Sequence, residues 1–195
     1  MNKTIAGIPD MQALIQAAVL APSSHNTQPW LFRLGDHAVD LLADRTRALP
    51  VNDPEDRELT LSCGCALFNL RVAAAAAGLD AAVELLPDAA DADLLARLRL
   101  AMPTAPQALA ELRPAMAERR TYRERFAATP VDANDLRALV DAVQSEGAAL
   151  LVLDNAERRL EATALVAEGD AMQWSNPSWR RELAAWMHPR RRGDG

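Results

Sequence analysis

Between Pro22 and Pro29 the chain sets six small polar or imidazole side chains in succession: Ser23, Ser24, His25, Asn26, Thr27 and Gln28. Serine beside histidine first suggests acyl transfer. Ser24 and His25 are neighbours, however, no glycine-flanked elbow surrounds the serine, and adjacent side chains seldom form the bonded nucleophile and base that this chemistry requires. Recognition is the better use of these residues. The amides of Asn26 and Gln28 each offer an acceptor and donors, and with the hydroxyls of Ser23 and Ser24 they match the edge of a flat heterocycle, while Pro22 and Pro29 stiffen the loop. The same composition also describes a polar turn that satisfies its own backbone.

A second cluster lies in "ERRTYRERF". On a helix, Arg119, Arg120 and Arg123 would fall three and four residues apart, and with the Thr121 hydroxyl they would form a compact anion clamp. The alternative is a solvated basic face, partly neutralised by Glu118 and Glu124. Neither a phosphate-binding P-loop nor a G-x-G-x-x-G fingerprint occurs. Cys63 and Cys65 would project about 200° apart on a helix, and His25, His37 and His188 are scattered, so no metal site is expected.

The rest of the chain must position these groups. Its 195 residues, half of them apolar and a quarter charged, suit one or two globular domains. A net charge of −6 argues against coating nucleic acid, so any anion site is local. No unbroken apolar run reaches the ~18 residues of a membrane span, and "MNKTIAGIPDMQAL" lacks the order of a secretory signal. The expectation is a cytoplasmic protein with no membrane partner.

Apolar spacing predicts a helix over Pro9 to Ala21, then the polar loop, then a hairpin turning at Gly35-Asp36-His37. A long helix over 54–77 follows, capped by Asp53, begun by Pro54 and stopped by Gly78; its alanine-rich face predicts a central, buried element. "AAVELLP" reads as a strand, and "DADLLARLRLAM" as a helix from Asp91. Prolines at 103, 106 and 114 suggest a boundary, giving halves 1–113 and 114–195. In the second half a helix is expected from Asp132 to Val143, a strand over Ala148 to Asp154, and a helical stretch from Glu157 to Trp186 broken at Asn176-Pro177. "DMQALIQAAV" and "DANDLRALVDAV" echo each other faintly, but only the first leads into a polar loop, so duplicated halves would carry one site.

Together these stretches resemble the nitroreductase-like flavoproteins. "APSSHNTQPW" is similar to that superfamily's A-P-S-x-x-N-x-Q-P-W loop and "RRTYRERF" to its R-R-S-x-R-x-F segment, with Thr121 where serine is usual. More narrowly, "DPEDRELTLSCGCALFNLRVAAAAAGL" and "WRRELAAWMHPRRRGDG" resemble the Acg-type subfamily, in which two such halves are fused. The resemblance implies an α+β fold, an antiparallel or mixed sheet flanked by helices. It implies FMN, with Pro22, Ser23, Ser24, Asn26 and Gln28 lining the ring and Arg119, Arg120, Thr121 and Arg123 holding the phosphate. Hydride would pass from NAD(P)H to the flavin and on to a nitroaromatic or quinone-like small-molecule acceptor, with no protein side chain assigned as catalytic. His25 would touch the flavin or face solvent. Members of the subfamily continue past "RRRGDG", so the second half is expected to be incomplete: either the chain is a fragment, or the surface around Trp174, Trp179 and Trp186 is covered by another copy. Two other readings stand beside the oxidoreductase: a flavin-sequestering module without turnover, and a cofactor-free helical interaction protein.

Overall fold

The computed structural model describes residues 11–102, 104 and 108–187. The predicted helix start at Pro9, the prolines at 103 and 106, and the "RRRGDG" stretch lie outside the described residues. Two compact units are present: one from the described residues up to Thr121 together with those from Ser178 onward, the other Tyr122–Pro177.

The first unit is α+β. Helix α1 (Met11–Ala18) buries Leu14, Ala17 and Ala18. Strands β1 (Trp30–Gly35) and β2 (Ala38–Ala43) pair as an antiparallel hairpin in which Gly35 faces Ala38. Asp36 and His37 make the turn, and His37 takes the left-handed φ of 56° that such a short loop demands. Helix α2 (Arg57–Ala76) comes next, then β3 (Asp80–Leu85) and β4 (Leu94–Ala101). The sheet is wholly antiparallel, in the order β1-β2-β4-β3.

Helix α2 is the central element, as its alanine face predicts, but it begins at Arg57 and not at Pro54. Asp56 adopts a left-handed φ of 54°, and the buried Asp53 carboxylate reaches forward to accept the N–H groups of Arg57 and Leu59, each at 2.9 Å. Asp53 therefore caps the helix from four residues upstream, and Pro54 belongs to the preceding turn. At the other end Gly78, with φ of 73°, lets Leu79 N–H return to the Ala74 carbonyl. By length and a mean hydropathy of 1.5, α2 could cross a bilayer, the one described helix to do so. Here its apolar residues Leu59, Cys63, Ala66, Leu70 and Ala73 join the core against the sheet and α1.

The segment expected as a helix from Asp91 is instead β4. Leu94, Ala96, Leu98 and Leu100 are buried while the residues between them are not, the period of two that a half-covered strand imposes. Paired on both sides, β4 presents those four residues to the core opposite Val39 and Leu41 of β2. The outer face of the sheet carries a charged row, in which Arg33, Asp40, Arg97 and Glu84 are successive cross-strand partners.

After a 3₁₀ stretch at Ala108–Leu112, helix α3 (Arg113–Glu118) carries Pro114 in its first turn. In the second unit Asp132 caps α4 (Ala133–Ser145) by accepting from Asn134 N–H, and Asn155 caps α5 (Ala156–Ser175). The strand expected over Ala148 to Asp154 does not form. An apolar run becomes a strand only where another backbone takes up its N–H and C=O groups, and the described residues of this unit include no strand. Helix α6 (Pro177–Trp186) follows α5 across Asn176, at the expected break.

Candidate functional site

The polar loop is anchored at nearly every residue. Ser23 is extended, Ser24–Asn26 make one 3₁₀ turn, and His25, Asn26 and Gln28 hold left-handed φ values of 50°, 54° and 51°. None of these is glycine, so the loop stores strain that its surroundings must over-determine. They do so with local bonds: Asn26 N–H donates to the Ser23 carbonyl, Thr27 N–H to the Ser24 carbonyl and Gln28 N–H to Ser23 Oγ, all at 2.9–3.0 Å. Distant groups complete the hold. The Thr27 carbonyl accepts from Arg47 at 3.0 Å, and the Pro29 carbonyl accepts from Asp44 N–H at 3.0 Å and from Cys63 Sγ at 3.2 Å.

Pro22, Ser23, Asn26 and Gln28 line a cleft of about 240 Å³. Its other wall comes from α3 and the residues just after it, with Met116, Arg119, Arg120 and Thr121. Two regions nearly a hundred residues apart in sequence thus share one concavity, and among the described residues its lining includes two guanidinium groups and no carboxylate. Asn26 Oδ1 accepts from Gln28 Nε2 at 3.5 Å, so the two amides sit side by side.

The arginines differ from the helical clamp that their spacing suggests. Helix α3 stops at Glu118, and Arg119 leaves it with φ −55° and ψ 131°, so the residues from Arg119 to Arg125 are not helical. Arg119 donates to the Leu20 carbonyl at 3.4 Å, which ties it to the polar loop's approach. Arg120 donates to the carbonyls of Ala117 and Arg119 at 2.7 and 2.8 Å. Helix-end carbonyls lack intrahelical partners, and a nearby guanidinium is a natural donor to them.

One of the expected ligand-facing residues stands elsewhere. Ser24 does not line the cleft: its hydroxyl donates to Glu58 Oε2 at 2.5 Å and its N–H to Ser62 Oγ at 3.3 Å, both on α2. Arg123 belongs to the second unit. His25 is not among the lining residues either. Spacing gave no sign of Leu20 or Met116 as wall residues, nor of Glu58, since each acquires its role only when α1, α2 and α3 pack.

The cysteines are free thiols. Burial pushes the Cys63 thiol up to about 12, and burial also raises Cys65. Among the described residues no three His, Cys, Asp or Glu side chains gather as metal ligands. On the outer sheet face, the hydrogen bonds from Arg97 first, and then those from Arg33, hold Asp40 at about 2 despite its burial.

No family model matches the chain. It is similar to the Mycobacterium tuberculosis (strain H37Rv) protein named "Putative NAD(P)H nitroreductase Rv3131", with 34% identity over 186 residues, covering 95% of this chain and 53% of that protein. It is also 42% identical over 91 residues to "Putative NAD(P)H nitroreductase acg" of the same strain, covering 47% of this chain and 28% of that one. The chain therefore spans about half the length of the first of these relatives. Among solved structures, that of B. megaterium NfrA2 aligns over 94% of this chain and 91% of that one at 16% identity and a TM-score of 0.40, a likeness too loose to bear on function.

Proposed function

We propose that this chain is part of an FMN-dependent NAD(P)H oxidoreductase of the nitroreductase type, of the Acg-type fused-repeat branch, acting in the cytoplasm on a nitroaromatic or quinone-like acceptor. Similarity to the two mycobacterial proteins supports the class. The observation that carries the reading is that Asn26 and Gln28 line the same cleft as Arg119, Arg120 and Thr121. An amide edge faces a cationic wall there, which is the donor set that a ring bearing a phosphate tail would meet.

The fit is partial in a specific way. At about 240 Å³ the cleft is smaller than the ~300–1,000 Å³ of sites that enclose a whole ligand, so FMN would be gripped at its phosphate and ring edge and not enclosed. The flavin, when bound, supplies reversible two-electron hydride chemistry. The chain's own residues bind and orient. Arg119, Arg120 and Thr121 offer donors to the phosphate, each charge-assisted bond contributing ~1.5–3 kcal/mol. Ser23, Asn26 and Gln28 present hydroxyl and amide groups to the ring edge, and Pro22 closes the loop's approach. Ser24 acts at one remove through Glu58. A loop already ordered before binding loses less entropy when the ligand arrives.

The test is FMN retention. The purified chain, mixed with FMN and passed through gel filtration, should keep a stoichiometric flavin spectrum, and Arg119→Ala with Arg120→Ala should lose it while the circular dichroism stays unchanged. A colourless wild type would overturn the reading. NADH or NADPH oxidation with a nitroaromatic acceptor then separates turnover from storage.

An association role has its own support. In α5 the side chains of Leu160, Leu165, Val166, Met172 and Trp174 are all exposed, an apolar display suited to a further copy or a protein partner. Sedimentation of the chain at several concentrations tests it.

A further inference from the structure

Helix α6 holds a short segment that the cofactor reading does not use. Its Glu182 carboxylate accepts the N–H of Val51 at 2.9 Å and of Asn52 at 2.8 Å, and its buried Trp179 donates Nε1–H to Asn52 Oδ1 at 2.7 Å. An indole N–H can only donate, so it fixes which end of the Asn52 amide faces it. The amide nitrogen then points the other way and donates to Glu58 Oε2 at 3.1 Å. That same oxygen accepts from Ser24 Oγ at 2.5 Å. A carboxylate only accepts, so the Ser24 hydroxyl must donate, and the direction of every proton from Trp179 to Ser24 is determined.

We propose that α6 positions the polar loop through this chain of Trp179, Asn52, Glu58 and Ser24, with Asn52 and Glu58 as positioning residues that touch no ligand. Ser24 begins the 3₁₀ turn, left-handed His25 and Asn26 follow it directly and Gln28 comes one residue later, after Thr27, so the strained part of the loop hangs from the last link. Ser62 Oγ, itself donating to the Glu58 carbonyl at 2.7 Å, receives the Ser24 N–H and makes a second hold on the same residue. A reversed Asn52 amide would set its oxygen against the Glu58 carboxylate and release Ser24. The consequence for ligand affinity rests on the flavin reading; the ordering of the loop does not.

The experiment separates the two. Amide hydrogen exchange of the whole chain is followed at Asn26, Thr27 and Gln28, with Leu41 and Leu98 of the sheet as internal references, and FMN affinity is measured in parallel by fluorescence titration. Asn52→Asp places two carboxylates face to face and should speed exchange at the three loop amides at least fivefold with the sheet unchanged. In the double variant N52D/E58Q carboxylate and amide trade places, the amide nitrogen at position 58 donates both to the carboxylate at 52 and to Ser24 Oγ, which turns from donor to acceptor, and slow exchange should return. Trp179→Phe, which keeps the ring and removes the donor, should loosen the loop by a smaller factor. Loop amides unchanged in Asn52→Asp, or as fast in N52D/E58Q as in the single variant, would overturn the proposal. A wild type that binds no FMN defeats the flavin reading alone, because the exchange rates still decide the relay. Where FMN binds, its affinity should fall and recover in step with loop exchange.

Discussion

Cys63 donates its thiol hydrogen to the carbonyl oxygen of Pro29 at 3.2 Å, so the central helix and the polar loop share a direct bond. Burial pushes that thiol from 9.0 up to about 12. A raised acid favours the folded state below its unfolded value, so this contribution is complete below about pH 9 and is lost as the pH climbs through about 12. At pH 8 a thiol reagent should label the half-buried Cys65 in the native protein and reach Cys63 only after denaturation. Equal native labelling of both would show that the bond to Pro29 opens readily.

Asp40 gives the opposite sign. Its carboxyl is lowered from 3.8 to about 2 by Arg97 and Arg33, so its contribution is present above pH 3.8 and fades as the pH falls through about 2. Asp40→Asn should lower the urea midpoint at pH 7 and flatten the acid side of the stability curve. An unaltered midpoint at pH 7 would reduce the charged row to a solvated surface ladder.

Asp53 caps α2 with both carboxylate oxygens from a buried position. Asp53→Ala should cost about 2 kcal/mol, the upper end of the range for lost caps. Asp53→Asn, which keeps one acceptor, should recover part of it. Urea unfolding of the two variants ranks them.

At Gly78 a Cβ would meet nothing within 4 Å, yet φ is 73°. Gly78→Ala should therefore destabilise by about 1 kcal/mol through backbone conformation alone. Leu86 is the mirror experiment. It is an exposed leucine at a φ of 47°, and Leu86→Gly should be neutral or stabilising in a thermal melt.

The sequence disclosed the parts of this fold that depend on local rules. The hairpin at Asp36-His37, the stop at Gly78 and the break at Asn176 are all set by residues adjacent to the event. It misread β4, because "LLARLRL" is rich in good helix formers and only the neighbouring strands make its alternation decisive. It also placed the α2 start at Pro54, since nothing local shows that Asp53 will reach past Asp56 to Arg57 and Leu59. The cleft was half legible: the two clusters were visible as chemistry, but their meeting depends on where α3 packs. The turning of Ser24 towards Glu58 had no signal at all, because a serine in a polar loop gives no hint of which helix it will face.

Trp179 and Glu182 meet Asn52 across 127 and 130 residues of chain. The intervening Tyr122–Pro177 must leave the ribosome before that contact can exist. Synthesis thus delivers the polar loop and its arginine wall early and their clasp late, and the closing of long-range contacts is the slow part of folding. During translation the loop would pass through a period without its hold, in which the strained residues relax and a ligand finds no ordered partner. Maturation of the site would then be timed by elongation through the second unit.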